Sequence, residues 1–235
     1  SATDMFNSTI AYNGVLTPFR VPSYNNTLGY DATVYIPNNT AQNYLNNGAS
    51  SANIRVTTSS ETILTRVLTS AIDIYEPDLR ATVYVNDING GVVLPGDVLE
   101  YTVIGKNIGS DISLNTFMTD TLDIRTSYIP NSITYLNGPF VGAKTDASGD
   151  DQAEYDAVNR VIKTRVGTGA TASLGGQMIN SPTGADSTAI RFQVQVSSDC
   201  LILSCDSTLE NKAYIFGTGN LSGNLVTNNG TSDVY

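Results

Sequence analysis

The sequence predicts an all-β protein made of tandem antiparallel β-sandwiches. Alternation of apolar and polar residues with a period of two recurs along most of the chain. The alternating segments are rich in β-branched residues and tyrosine, and Gly, Asn, Asp and Pro separate them. No long stretch keeps an apolar stripe at helical spacing, which argues against a helical fold.

Ten segments carry this alternation and are predicted to be strands. In chain order they are residues 30–36, 52–58, 62–75, 79–86, 97–105, 113–120, 131–138, 160–167, 189–197 and 211–217. Each is about half apolar, as expected for a strand that packs one face on a core and exposes the other to water. Stacked antiparallel sheets bury such strands on their inner faces.

The segment IYEPDLR, residues 74–80, is the predicted boundary between two domains. Pro77 cannot donate to a strand ladder and drives Glu76 towards an extended backbone, which fits a short stiff linker. We therefore expect one sandwich over residues 1–76 and another over 77–235. The alternative is a Pro-interrupted edge strand inside one domain. The first region has about three strong strands, so either its strands are irregular or part of it lies upstream of Ser1.

The charge balance and the missing residue types exclude several functions. The chain has 12 basic and 22 acidic residues, and its net charge of −10 repels the phosphate backbone of nucleic acids. It contains no histidine, which removes His-dependent nucleophile pairs and nearly all ordinary zinc sites. Catalysis would have to use carboxylates, Lys or Tyr. No apolar run is long enough to span a bilayer, so we expect no direct membrane insertion. The first residues do not form a signal peptide, so the chain is either a mature product or a fragment of a larger protein. A strand-like pattern almost at the first residue favours the fragment.

The two cysteines, Cys200 and Cys205, are candidates for a disulfide. They stand close together between turn residues, so a bridge would close a small loop. Without histidine or further cysteines this pair cannot complete a metal site. The sequence favours the disulfide, which suits an exported protein, and two free buried thiols are the alternative.

The most acidic stretch is TDASGDDQAEYD, residues 145–156, which contains no basic residue. Its carboxylates belong to Asp146, Asp150, Asp151, Glu154 and Asp156. Calcium takes several oxygen ligands, and a compact loop of like charges favours such an ion because it offsets their repulsion. The stretch is not an EF-hand, because Asp151 stands where glycine is needed. An open loop screened by water and salt is the main alternative, and a catalytic pair of acids is a weaker one.

A second acidic group surrounds the predicted linker. Glu76 and Asp78, with Asp87 and Asp97 nearby in sequence, are candidate ligands of an interdomain calcium ion. Such an ion would stiffen a string of modules. A plain extended linker with solvated acids is the alternative.

Tyrosines near the start of the chain are candidates for carbohydrate contact. Six tyrosines precede residue 76, among Asn-rich turns, and exposed tyrosine faces can stack on sugar rings. The candidate residues are Tyr24, Tyr30, Tyr35 and Tyr44. Ordinary packing between strands is the alternative for each of them.

Residues 93–139 contain an ordered series of turn and strand residues. The matching positions are Pro95, Gly96, Asp97, Tyr101, Thr102, Asn107, Gly109, Thr119, Asp120, Leu122 and the run from Tyr128 to Ser132. This segment resembles a widespread bacterial surface repeat known as domain of unknown function eleven. With the flanking stretches, including the paired cysteines and ENKAYIFGTGNLSGN, it resembles the long form of the repeat in gliding-motility adhesins and giant surface proteins of Bacteroidetes.

The resemblance implies an Ig-like β-sandwich in a large secreted cell-surface adhesin. It implies a non-enzymatic structural or adhesive role in surface attachment or gliding motility, at an extracellular location. The partners expected from it are neighbouring domains of the same adhesin and a substratum or polysaccharide. A carbohydrate-binding module for extracellular polysaccharide is the alternative function, and a carboxylate-based hydrolase is a weaker one.

The resemblance also bears on covalent cross-linking. Some related surface domains contain a Lys–Asn isopeptide bond beside a carboxylate, with the lysine in the first strand and the asparagine in the last. Asn211 occupies the last-strand position, but the first strand, LRATVYVND, offers no lysine and has Val83 at the corresponding place. We therefore expect no isopeptide bond in this chain.

Overall fold

A computed structural model describes residues 7–46, 49–60, 62–181, 186–203 and 208–234. Across these ranges nearly all regular structure is β-strand, and one short helix is present, α1 (Cys200–Leu203). No helix in the same ranges has the length and hydropathy to cross a membrane. The prediction of an all-β protein with antiparallel sheets is confirmed.

The chain divides into two compact units, residues 1–65 and 66–235. The predicted boundary segment, residues 74–80, lies within the second unit. The division into domains at 76 and 77 stays a prediction, and each unit is described by itself below.

The first unit contains one three-stranded sheet. Its strands are β1 (Ile10–Tyr12), β2 (Val15–Leu16) and β3 (Ala32–Val34), with β1 in the middle. β1 pairs antiparallel with β2 and parallel with β3. Asn13 and Gly14 both have positive φ and form the turn between β1 and β2, which is the backbone that an Asn-Gly pair favours.

The stretches 52–58 and 62–75 have the alternation of strands but form none in the structure. A strand needs a neighbouring strand for its backbone hydrogen bonds, and no described residue forms a ladder with these stretches. Apolar side chains there, among them Ile54, Leu64 and Ile72, are consequently exposed.

The second unit is a sandwich of two sheets. Its strands are β4 (Leu79–Asp87), β5 (Val98–Asn107), β6 (Ser113–Thr121), β7 (Thr126–Tyr128), β8 (Thr134–Tyr135), β9 (Gly142–Ala143), β10 (Ala153–Asp156), β11 (Val161–Arg165), β12 (Gly176–Met178), β13 (Thr188–Val196), β14 (Leu209–Gly219) and β15 (Leu225–Val234). One sheet has the order β4-β5-β13-β8-β9, and β7 also pairs with β13. The other has the order β10-β11-β6-β14-β15, and β12 also pairs with β6.

The hydrophobic core lies between these two sheets. Alternate residues of each long strand point inwards, and β5 shows this most plainly, since every second residue from Leu99 to Asn107 is buried. Phe192 of β13 packs against Tyr101 of β5, with ring centroids 5.6 Å apart. Met118 of the opposite sheet belongs to the same cluster of buried residues.

A tight turn fixes where β5 begins. Gly96 has a φ of 95°, a backbone conformation that a side chain would strain. Asp97 accepts a hydrogen bond from the Leu94 amide at Oδ2, over 2.7 Å. The Pro-Gly-Asp sequence therefore acts as a turn before the strand.

The first and last strands of the sandwich lie side by side and run in the same direction. A Cβ atom added to Gly217, which pairs with Val226 of β15, would lie 3.1 Å from Leu79 Cδ1. A Cβ atom on Gly230 would lie 2.6 Å from the Ala81 carbonyl oxygen. Residue numbers rise together along β4 and β15, so Leu79 and Val234 lie at opposite ends of the sandwich.

Candidate functional sites

The acidic stretch, residues 145–156, connects the two sheets at one side of the sandwich. It follows β9, at the edge of one sheet, and leads into β10, at the edge of the other. Like charges in this position repel one another, and hydrogen bonds to the ionised carboxylates can offset that cost. The structure supplies that stabilisation through hydrogen bonds to individual carboxylates.

Asp146 is held by two donors from outside the loop. The Tyr128 hydroxyl donates to its Oδ1 over 2.5 Å, and the Asn131 amide donates to its Oδ2 over 2.7 Å. Burial, together with the neighbouring Asp146, raises the pKa of Tyr128, so the phenol keeps its proton and remains a donor. The Tyr128 ring also packs against Tyr155, with centroids 4.2 Å apart, which ties the loop to β7 and β10.

Asp150 and Asp151 are held within the loop by Thr145. The Thr145 hydroxyl donates to Asp150 Oδ2 over 2.6 Å, and the Thr145 amide donates to Asp151 Oδ2 over 2.9 Å. Asp151 Oδ1 also accepts from the Ala153 amide. The hydrogen bond from Thr145 lowers the pKa of Asp150, which therefore stays ionised.

Glu154 and Asp156 complete the set. Glu154 forms a 2.6 Å ion pair with the buried Arg165 and accepts a hydrogen bond from the Ser148 hydroxyl. Burial raises the pKa of Glu154, but the bonds from Ser148 and Arg165 outweigh it and the pKa is lowered overall. Asp156 accepts from the Asn159 side chain and amide, which lowers its pKa.

The five carboxylates are thus satisfied one by one. In the described ranges, no three acidic or cysteine side chains converge on a point where they could hold a metal ion. Calcium binding at residues 145–156 stays a prediction. An interdomain calcium site at Glu76 and Asp78 also stays a prediction. In the structure, Asp78 forms an ion pair with Arg80 at 2.7 Å, and Glu76 lies in a hydrogen-bonded segment.

That segment, residues 74–78, is fixed against the loop that follows β5. The Glu76 carbonyl accepts from the Ser110 and Asp111 amides, and the Asp78 amide donates to Asn107 Oδ1 over 3.1 Å. Gly109 makes the close approach possible, because a Cβ there would lie 2.2 Å from the Asp78 nitrogen. The Asn-x-Gly element of the repeat pattern therefore fixes the chain as it enters β4.

Asn107 is the centre of this arrangement. Its side chain is fully buried, and its Nδ2 donates to the carbonyl oxygens of Asp111 and Met178. Its Oδ1 accepts from Gly109 as well as from Asp78. A single amide thus satisfies backbone groups from three separate segments.

A buried polar pair lies inside the core, where Asn211 Nδ2 donates to Asp120 Oδ2 over 2.7 Å. Both side chains are almost completely buried, and Asp120 Oδ1 has no hydrogen-bond partner among the described residues. Burial raises the pKa of Asp120 to about 7, which the bond from Asn211 only partly offsets. The first strand places the buried apolar Val83 in the same core.

The outer face of the second sheet has a ladder of rings and ammonium groups. Phe117 stacks on Phe216 with centroids 5.0 Å apart, and Phe216 stacks on Tyr214 at 6.1 Å. Lys163 covers Phe117 at 5.0 Å, and Lys212 covers Tyr214 at 5.3 Å. Because neighbouring rings and ammonium groups cover these ring faces, the ladder stabilises β11, β6 and β14 against one another.

The four candidate tyrosines belong to the first unit, and the structure brings two of them together. Tyr24 and Tyr30 are 74% and 61% exposed and line one open cavity of about 520 Å³. Tyr35 and Tyr44 are exposed too, but do not line this cavity. Carbohydrate contact by these four tyrosines stays a prediction.

The cavity also contains a basic residue that the sequence analysis did not select. Arg20 donates from Nε to the Thr17 carbonyl over 3.1 Å and from Nη2 to the Tyr24 carbonyl over 2.8 Å. One signal could have identified it, since Arg20 is the only Lys or Arg in the first fifty residues.

The predicted disulfide involves a residue outside the described ranges. Cys200 begins α1 and is exposed, and Cys205 falls in the undescribed segment 204–207. The bridge between them stays a prediction.

Comparisons with known proteins give structural likeness but no family. No model of a protein family matches the chain, and no curated protein sequence matches it. The full-length major pilin SpaD from Corynebacterium diphtheriae is similar in structure with a TM-score of 0.46 and 17% identity, covering 67% of this chain and 35% of the pilin. The matched region thus corresponds to about a third of that pilin's length.

Two further structures illustrate the range of likeness. The collagen-binding subdomain ACE19 of the Enterococcus faecalis surface protein ACE has a TM-score of 0.39 at 12% identity, covering 66% of this chain and 94% of ACE19. A cohesin module from a Clostridium perfringens family 33 glycoside hydrolase has a TM-score of 0.40 at 15% identity, covering 68% of this chain and 96% of the module. At these TM-scores the likenesses assign no function.

Proposed function

We propose that the chain is a non-enzymatic structural and adhesive segment of a large secreted bacterial surface protein, which serves surface attachment or gliding. The resemblance of residues 93–139 to the bacterial surface repeat supports this proposal. So does the use that the sandwich makes of the repeat's residues. Gly96 and Asp97 build a turn, and Asn107 and Gly109 fix the entry of the chain.

The observation that carries the proposal is the shared direction of β4 and β15. A force that stretches the sandwich between residues 79 and 234 slides the two strands along each other, so their contacts must break together. If they ran in opposite directions, the force would separate those contacts one at a time. The bonds between residues 74–78 and the loop after β5 resist the same force at the entry point.

The carboxylates support a non-enzymatic role. A general acid needs a raised pKa and access to substrate. Asp150, Glu154 and Asp156 have lowered pKa values. Asp120 has a raised pKa, but its burial keeps it from any substrate.

Single-molecule stretching tests the mechanical proposal. The sandwich is pulled through its two ends in one experiment, and through residue 79 and a tag in the β14–β15 turn, residues 220–224, in the other. That turn lies at the same end as Leu79, so the second geometry peels strands. We expect a clearly higher unfolding force when the ends are pulled. Equal forces in the two geometries would refute the mechanical role.

A second function, carbohydrate binding by the first unit, is favoured by one observation. Tyr24 and Tyr30 share an exposed cavity whose lining also includes the polar side chains of Asn26 and Thr27. Pockets of this size, largely apolar with a few polar groups, are typical of small-ligand sites. Polysaccharide is the ligand that we propose for this cavity.

A further inference from the structure

The cavity of the first unit has a fixed wall. This wall is the loop of residues 26–29, which hydrogen bonds tie to the segment before β1. The Thr27 amide donates to the Ser8 carbonyl, and the Gly29 amide donates to the Ser8 hydroxyl. The Leu28 amide donates to Asn26 Oδ1 over 2.8 Å. Because the backbone is held in this way, the cavity is largely formed before any ligand arrives.

Of the described residues that line the cavity, Arg20 alone is charged. Two of its nitrogens donate to backbone carbonyl groups, which are neutral, so they fix the guanidinium without cancelling its charge. The one acidic residue among residues 7–46 is Asp31, which accepts from the Thr9 amide and does not line the cavity. The cavity is therefore cationic in a chain whose net charge is −10.

The remaining N–H groups of Arg20 can donate to an anionic group beside the two tyrosine rings. Guanidinium matches the planar carboxylate and the sulfate better than a neutral hydroxyl, because the hydrogen bonds are then charge-assisted. A ring ligand that stacks on Tyr24 or Tyr30 and has an acidic substituent satisfies both features. A neutral sugar would use only the rings.

We propose that the cavity lined by Arg20, Tyr24 and Tyr30 binds an anionic polysaccharide, with Arg20 pairing its carboxylate or sulfate group and the tyrosines contacting its sugar rings. This inference rests on the second proposed function and specifies the charge of the ligand. The net negative charge of the whole chain repels such a polymer, so binding requires a local cationic site.

The test is affinity electrophoresis of the full chain in gels that contain polygalacturonate, dextran sulfate or neutral dextran. We expect retardation by at least one anionic polymer, weakening as salt is added. Arg20→Gln should lower that affinity about tenfold or more, which is the loss expected for a charge-assisted hydrogen bond. Arg55→Gln, which removes an exposed arginine elsewhere in the first unit, should leave it unchanged.

The outcomes separate the two sources of charge and the two proposals. Retardation by polygalacturonate identifies carboxylated sugars, and retardation by dextran sulfate alone identifies sulfated ones. Arg20→Lys keeps the charge without the fork, and we expect intermediate binding that excludes loss of fold as the cause. Neutral dextran could instead retard the chain as much as the anionic polymers do, with Tyr24→Ala abolishing the retardation and Arg20→Gln leaving it unchanged. In that case carbohydrate binding stands and the anionic inference falls. If no polymer retards the chain, both fall, and the stretching result is unaffected.

Discussion

A single carboxyl group gives the sandwich a pH-dependent weakness. The side chains around the narrow void beside Asp120 are apolar or hydroxyl groups, and the void has no room for a water molecule. They belong to Val103, Met118, Thr119, Ile162, Thr164, Ile190 and Ala213. No charged group lies among them, and among the described residues the Asp120 carboxylate accepts its one side-chain hydrogen bond from Asn211.

The sign of the effect follows from where the protons bind. The pKa of Asp120 is about 7 in the folded chain and near 3.8 when unfolded, so between these values the folded state binds more protons. Its contribution to the free energy of unfolding therefore falls as pH rises from about 4 to about 7, and is constant above that.

Replacing the acid with its amide should remove this loss. We expect Asp120→Asn to raise the free energy of unfolding at pH 8 by roughly 1–3 kcal/mol, because the amide removes the buried charge of the carboxylate and still accepts the bond from Asn211. The gain should be much smaller at pH 4. Urea unfolding at both pH values measures it, with the exposed Asp186→Asn as control. A gain in the free energy of unfolding that is the same at both pH values would show that the pKa of Asp120 is not raised in the folded chain.

At the scale of elements, the acidic loop is a hydrogen-bonded connection between two sheet edges. Its donors come from the loop itself, from β7 and from β11, as with Thr145, Tyr128 and Arg165. Each carboxylate therefore has partners that persist without an added cation. Two interpretations of residues 145–156 remain, the hydrogen-bonded loop and the calcium site, and they differ in one measurable property.

Thermal melting with and without a chelator distinguishes them. Because the carboxylates already accept bonds from protein donors, we expect the melting temperature to be the same in excess chelator and in millimolar calcium. A fall of several degrees with chelator, reversed by calcium, would establish the calcium site instead. The variant Asp150→Asn with Asp151→Asn identifies the loop as the origin, since it should abolish any such shift.

At the scale of the whole molecule, the second unit contains its own core and both of its sheets. It divides from the rest of the chain at residue 66, and residues 74–78 are bonded to the loop after β5. The sandwich should therefore be stable by itself, and its stability should depend on these entry residues.

Truncation tests this dependence. We expect residues 66–235 to unfold at the same temperature as the sandwich in the full chain. Residues 79–235 should unfold several degrees lower, because the loss of Glu76 and Asp78 removes hydrogen-bond partners of the loop after β5, each hydrogen bond contributing about 1 kcal/mol. Calorimetry of both fragments measures the difference, and equal midpoints would show that the entry residues contribute nothing.

Alternation of apolar and polar residues predicts the long paired strands well. It fails where strand formation depends on whether a neighbouring strand is present. The predicted segments 97–105 and 113–120 correspond to Val98–Asn107 and Ser113–Thr121. Alternation at 62–75 is equally clear, yet no strand forms, because a ladder needs a neighbour that the pattern cannot reveal. The edge strand β15 was missed, since its Asn-, Gly- and Thr-rich sequence has little apolar alternation.

For the candidate sites, the sequence likewise identifies some residues but not the partners that they contact. The sequence identified the carboxylates of residues 145–156 but not their donors, because backbone amides are invisible in it and Tyr128 and Arg165 are remote along the chain. The burial of Asp120 could have been found from the alternation of its strand, because residues 118 and 120 lie on the same face and Met118 is apolar. Arg20 could have been found by its isolation, but not by its position beside Tyr24.

The ring ladder on the outer face gives the sandwich a spectroscopic signal of its folded state. The chain has no tryptophan and 13 tyrosines, so its near-ultraviolet spectrum comes chiefly from phenol groups. Tyr214 is fixed between Phe216 and an ammonium group, and Tyr128 is fixed against Tyr155. Rigid phenols in asymmetric surroundings give circular dichroism that mobile ones lose, so the second unit has a built-in optical signal that needs no label.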